Sequence, residues 1–100
     1  MTYEEGLTHF KSGDYVMASE AFASVTELDE NNHKAWNALG ICLSKTGEYE
    51  SAGTCFDNAV TLAPENITYK KNQAGNAERI QKGPLFEVQS LKPLRKFVLT

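Results

Sequence analysis

Four side chains in the sequence are of types that could carry nucleophilic or metal-binding chemistry: Cys42, Cys55, His9 and His33. A cysteine nucleophile needs a histidine base beside it, and a zinc site needs ligands at short, characteristic spacings. The cysteines are 13 residues apart and the histidines 24 apart, which matches no common ligand spacing. Both cysteines also lie within apolar helical patterns, which favours buried, reduced thiols. We therefore expect no catalytic site, no metal and no cofactor.

Cations recur at a fixed interval: Lys11, Lys45 and Arg79 are each 34 residues apart, so in a repeating structure they would point from one face. The whole chain is weakly acidic, with a net charge of −3, which argues against a dedicated nucleic-acid binder. The balance is uneven along the chain. Residues 1–66 hold 11 acids and 3 bases, whereas residues 67–100 hold 2 acids and 7 bases.

The elements that would position these cations come from an internal repeat. When the sequence is compared with itself at an offset of 34 residues, 8 of 32 aligned positions are identical, against about two expected by chance. The identical pairs are Gly6/Gly40, Lys11/Lys45, Gly13/Gly47, Tyr15/Tyr49, Ala18/Ala52, Phe22/Phe56, Leu28/Leu62 and Asn32/Asn66.

Each unit has the pattern of two helices joined by a tight turn. In the second unit, Ala35, Trp36, Leu39 and Leu43 form one apolar stripe at helical spacing, and a second stripe follows the turn at Gly47. The glycine at position 47 follows a helix that ends in a lysine, and it can adopt the left-handed backbone conformation that commonly ends a helix. The proline at position 64 predicts the end of the second helix. The small residues at 6 and 40 are expected to face the alanines at 18 and 52.

The second unit resembles the tetratricopeptide repeat through Trp36, Leu39, Gly40 and Leu43, followed by Gly47, Tyr49, Ala52, Phe56, Ala59 and Pro64. This resemblance implies an all-α, helix-turn-helix solenoid. We assign repeat 1 to residues 1–32, repeat 2 to residues 33–66, and a C-terminal capping helix to residues 67–82. We expect the capping helix to cover the last repeat with Ile67, Ala74, Ala77 and Ile80.

Residues 83–100 form an apolar and basic C-terminal tail with a proline at position 93. Three interpretations remain open for the tail. It packs along the solenoid and completes its core, it docks on a partner or on another copy of the chain, or it is disordered.

The resemblance also implies a concave groove lined by the first helix of each unit. The positions carried over from the family are Tyr3, Leu7, Phe10, Lys11, Lys34, Asn37, Ile41, Ser44, Lys45, Thr68, Lys71, Gly75, Glu78 and Arg79. Five of them are cations and one is an acid. We expect a non-catalytic interaction module, an adaptor or scaffold, that binds a protein or peptide carrying acidic groups in this groove.

Two alternatives compete with that interpretation. The groove could be an ordinary solvated helical face, or the chain could be a self-assembling homo-oligomer whose tail docks on another copy. The family members that hold the terminal carboxylate of heat-shock chaperones use lysine, asparagine and arginine at five groove positions. Here those positions carry Tyr3, Leu7, Ala38, Thr68 and Asn72, so we do not expect that specificity.

We expect a cytoplasmic protein with no membrane partner. The first residues are acidic where a secretory signal would be basic, and no apolar run approaches the ~20 residues that cross a bilayer.

Overall fold

The computed structural model describes residues 1–82, which form five α-helices joined by short turns. The helices are α1 (Tyr3–Lys11), α2 (Tyr15–Leu28), α3 (His33–Lys45), α4 (Tyr49–Leu62) and α5 (Ile67–Lys82). No strand occurs within this part of the chain, and the expected all-α fold is confirmed. The predicted tail, residues 83–100, lies outside the described residues.

Two equivalent asparagines start the helices that follow each unit boundary. The Asn32 Oδ1 accepts a hydrogen bond from the Ala35 amide at 3.0 Å, and the Asn66 Oδ1 accepts one from the Tyr69 amide at 3.0 Å. Each bond satisfies an amide that the first turn of a helix leaves without a backbone partner. The asparagine repeated at an interval of 34 residues is therefore a helix cap.

The turns within the two units are made by glycines with left-handed backbones. Gly13 has a φ of 82° and Gly47 a φ of 86°, a region that side chains with a Cβ rarely adopt. The second unit closes where the sequence predicts: α4 ends at Leu62, and Pro64, which has no amide to donate, follows two residues later.

Within each unit the two helices approach closely at a glycine, and a phenylalanine ring of the second helix lies against it. A Cβ on Gly6 would lie 2.5 Å from the Phe22 ring, and a Cβ on Gly40 would lie 2.7 Å from the Phe56 ring. The phenylalanine ring therefore fills the space that the glycine leaves open. The alanines at 18 and 52, which the sequence predicts to face these glycines, are both fully buried.

The core lies between consecutive helices, since each helix packs on the next one along the chain. Its main cluster joins Phe22 of α2, Leu39 and Cys42 of α3, and Cys55 of α4. A smaller cluster brings Tyr69 of α5 against Ala59 and Ala63, at the end of α4. Apolar side chains of α1 pack against the main cluster, and Trp36 of α3 packs against both clusters. These side chains are only half-buried.

The packing face of α5 is not the apolar stripe that the sequence suggested. Ile67 is 67% exposed, Ala74 and Ala77 are exposed, and Ile80 is 41% exposed. The face that meets α3 and α4 instead carries Tyr69, Asn72, Gln73 and Asn76, at helical spacing. The predicted stripe is therefore wrong: α5 docks through one buried tyrosine and side-chain hydrogen bonds. None of the five helices is both long enough and apolar enough to cross a bilayer.

Candidate functional site

The first of two adjoining clefts is apolar and lies between α1 and α3. We call it the apolar cleft; its volume is about 180 Å³. Spacing on α1 places Tyr3, Leu7 and Phe10 on one face of that helix, and all three side chains are half-buried. The remaining lining residues are Phe22, Lys34, Asn37, Ala38, Ile41 and Tyr69.

The start of α1, which presents three of these side chains, is fixed by a reciprocal cap. The Glu5 amide donates to the Thr2 hydroxyl at 3.2 Å, and the Thr2 amide donates to the Glu5 carboxylate at 2.8 Å. This capping box satisfies two donors at once. The apolar side chains of a short helix are thereby held in register with α3.

The second cleft, which we call the cationic cleft, is larger, at about 460 Å³, and lies between α3 and α5. Its charged lining consists of Lys45, Lys71 and Arg79, and no acidic side chain of residues 1–82 lines it. Its other lining residues are Ile41, Ser44, Tyr49, Phe56, Asn72, Gly75 and Asn76. Ile41 belongs to both clefts, so together they form one continuous surface, which we call the groove.

Two of the three cations are held against tyrosine rings. The Lys45 Nζ lies 5.9 Å from the centroid of the Tyr15 ring, and the Arg79 guanidinium lies 5.7 Å from that of Tyr49. Arg79 also donates a hydrogen bond to the Tyr49 hydroxyl at 3.2 Å. Cation–π contacts of this kind orient a charge without neutralising it.

Asparagines line the floor of the cationic cleft. The Asn72 Nδ2 donates to the Asn37 Oδ1 at 3.0 Å, which links α5 to α3. The Asn76 Nδ2 donates to the backbone carbonyl of Tyr49 at 2.8 Å, which links α5 to the start of α4. Asn76 is only 4% exposed, and its Oδ1 has no hydrogen-bond partner among the residues that the structure describes. A buried acceptor left unpaired is costly, so Asn76 links the helices through its Nδ2 bond alone.

The structure brings most of the predicted groove residues together. Lys11, Thr68 and Glu78 are exposed but line neither cleft. The residues that do line the clefts are Tyr3, Leu7, Phe10, Lys34, Asn37, Ile41, Ser44, Lys45, Lys71, Gly75 and Arg79. The recurring cation column therefore reaches the groove at its second and third members only.

Several lining residues were not among the predicted positions, chiefly Tyr49, Tyr69 and Asn76. One signal for Tyr49 was available: a tyrosine precedes a cation by 30 residues twice, at Tyr15/Lys45 and Tyr49/Arg79. No pattern marked Asn76, because a polar residue on a terminal helix is expected to face water.

The cysteines and histidines do not form a reactive pair. Cys42 is fully buried, Cys55 is 5% exposed, and both are free thiols. Burial raises the pKa of each thiol to about 11, so the nucleophilic thiolate is scarce at neutral pH. The His33 Nδ1 lies 2.8 Å from the Tyr69 hydroxyl, and burial raises the pKa of that tyrosine. Among the described residues, no three metal-ligating side chains lie together.

Residues 33–66 match the family model of the tetratricopeptide repeat. This segment of the chain is therefore a tetratricopeptide repeat. The match covers α3, α4 and the residues up to Asn66, which is the second of the two units found in the sequence. The helices α1 and α2 reproduce the glycine–phenylalanine contact of this tetratricopeptide repeat. No curated protein shows significant similarity to the chain. The repeat indicates a protein–protein interaction module.

Proposed function

We propose that the chain is a non-catalytic adaptor that binds a peptide or a partner helix in the groove. The observation that carries this proposal is the continuity of the two clefts through Ile41, along the helices that line one side of the repeats. A surface that joins half-buried aromatic side chains to oriented cations resembles an interface more than a solvated helix face.

The two kinds of side chain contribute differently. The apolar groups Tyr3, Leu7, Phe10 and Ile41 supply the burial, at roughly 25 cal/mol for each Å² removed from water. The cations Lys45, Lys71 and Arg79 attract acidic partners and exclude basic ones. Affinity would come mainly from the apolar cleft, and selection among partners from the cationic cleft.

The experiment is affinity capture with the full-length chain, followed by measurement of the dissociation constant for the purified partner. The test variant is Lys45→Glu with Lys71→Glu, both in the cationic cleft. Its matched control is Lys11→Glu with Lys70→Glu, which makes the same charge change at exposed residues that line neither cleft.

We expect the test variant to weaken binding by about 100-fold, and the control by no more than about threefold. Circular dichroism of both variants should match that of the parent chain. Equal effects of the two variants would show that net charge, and not the groove, determines binding.

Self-assembly through the tail is the second candidate function, but charge does not favour docking of the tail in the groove of another copy. Residues 83–100 carry Lys92, Arg95 and Lys96 against a single acid, Glu87. A basic segment entering the cationic cleft would meet like charges, which oppose association. An acidic segment from another protein fits the same cleft without that cost.

We further propose that the protein works in the cytoplasm, where free thiols such as Cys42 and Cys55 stay reduced. Cell fractionation with a tagged full-length chain tests this location. Recovery of the chain in a secreted or organellar fraction would contradict it.

A further inference from the structure

We propose that the groove selects a peptide segment with two features: a large apolar side chain for the apolar cleft and, about three residues away, a carboxylate side chain for the cationic cleft. The inference rests on the proposed function and specifies its ligand. It depends on the different chemistry of the two clefts and on the distance between them.

The apolar cleft suits one uncharged side chain of substantial size. Apolar surface is supplied by Tyr3, Leu7, Phe10 and Ile41. Among the described lining residues only Lys34 is charged, and it is exposed. Tyr3 packs on Phe22 with ring centroids 5.3 Å apart, which fixes one wall. A leucine, isoleucine or phenylalanine side chain would exclude water there without leaving a polar group unpaired.

The cationic cleft suits a carboxylate attached to a peptide backbone. Lys71 and Arg79 of α5 line the cleft together with Lys45 of α3, and none of the described lining residues is an acid. The two clefts adjoin at Ile41, so a carboxylate carried by a peptide can occupy this cleft while an apolar side chain of the same peptide occupies the other.

The spacing follows from α3, which lines both clefts. Its residues in the apolar cleft centre near Ala38 and those in the cationic cleft centre near Ser44. The six intervening helical steps rise ~9 Å. An extended peptide advances ~3.3 Å per residue, so it covers this distance in about three residues.

The test uses fluorescein-labelled peptides and fluorescence anisotropy with the full-length chain. The first probe is Ser-Leu-Ser-Ser-Glu-Glu-Ser, and the second has the reverse order, Ser-Glu-Glu-Ser-Ser-Leu-Ser, because the groove could accept either chain direction. Three controls are made for each order. One replaces leucine by serine, one replaces both glutamates by glutamine, and one places leucine directly beside the glutamates.

We expect one of the two orders to bind at least about tenfold more tightly than each of its controls. Lys71→Glu should weaken that peptide by about tenfold or more while preserving the preference for leucine over serine. Lys70→Glu is the matched control, since it is the neighbouring exposed lysine outside the cleft, and it should change the dissociation constant by less than about twofold.

If neither leucine nor the glutamates change affinity in either order, the inference is overturned. If the adjacent-residue control binds as tightly as the spaced peptide, the two-cleft spacing is wrong. The proposed function is judged separately, by whether the purified natural partner loses affinity for Lys45→Glu with Lys71→Glu. Suppose that the natural partner loses affinity for the double variant but the peptides show no selectivity. That result would support the adaptor function and would contradict the proposed peptide ligand.

Discussion

Glycine serves opposite purposes at Gly40 and Gly75, two helical positions of the same chain. Gly40 is buried under the Phe56 ring, whereas a Cβ on Gly75 would meet no atom within 4 Å. At the first position the missing side chain allows two helices to touch. At the second it only lowers helix propensity and keeps the cationic cleft open.

The same substitution should therefore have opposite effects at these two sites. We expect Gly40→Ala to lower the free energy of unfolding by roughly 2–4 kcal/mol, because the Phe56 ring must move within a packed core. Gly75→Ala should raise it by about 0.5–1 kcal/mol through better helix propensity. Urea denaturation followed by circular dichroism measures both. A stable Gly40→Ala variant would contradict the close contact between α3 and α4.

At the scale of elements, α5 differs from the helices before it. Four residues of α4 are buried, whereas α5 buries only Tyr69 and Asn76. Its other links to the repeats are hydrogen bonds such as that from the Gln73 Nε2 to the Asp57 carboxylate, at 2.8 Å. Exposed polar bonds contribute little net stability, so the docking of α5 depends mainly on one aromatic side chain.

Tyr69 should accordingly control whether α5 stays docked. We expect Tyr69→Ala to cost roughly 3–5 kcal/mol, because it removes a buried aromatic ring, and to speed hydrogen exchange throughout α5. Tyr69→Phe keeps the ring and loses only the bond to His33, so it should cost about 1 kcal/mol. Hydrogen exchange read by mass spectrometry reports the effect on α5. Equal exchange rates in the two variants would show that the ring is not what holds the helix.

Most of the elements could be predicted from the sequence, and the face of α5 could not. The repeat fixed the turns at Gly13 and Gly47 because positive φ requires glycine, and it placed the caps because asparagine satisfies free amides. Groove residues on α1 and α3 followed from helical spacing. Docking of α5 through Asn72 and Asn76 left no apolar pattern to detect, since which side-chain amides meet depends on three-dimensional contact.

At the scale of the whole molecule, charge is distributed so that the groove differs from the rest of the repeats. Residues 1–66 hold 11 acids and 3 bases, yet the described lining of the cationic cleft has three cations and no acid. The tail carries cations as well. This distribution supports our proposal that an acidic segment from another protein, and not the chain's own tail, binds in the groove.

We expect the 100-residue chain to remain monomeric in sedimentation equilibrium at concentrations up to about 100 μM, because the basic tail and the cationic cleft repel each other. Replacing Lys92, Arg95 and Lys96 by glutamate makes the tail acidic and should promote self-association or block the groove. A parent chain that dimerises through residues 83–100, with no change on charge reversal, would favour self-assembly by an uncharged contact.

Packing between consecutive helices has a kinetic consequence. Each helix makes most of its contacts with the helices directly before and after it along the chain, so most contacting residues are near one another in sequence. Folds with such low contact order lose little loop-closure entropy before favourable contacts form, and they fold in microseconds to milliseconds. A unit such as α3 with α4 can therefore close on itself before the rest of the chain is available, and folding can spread from it in either direction.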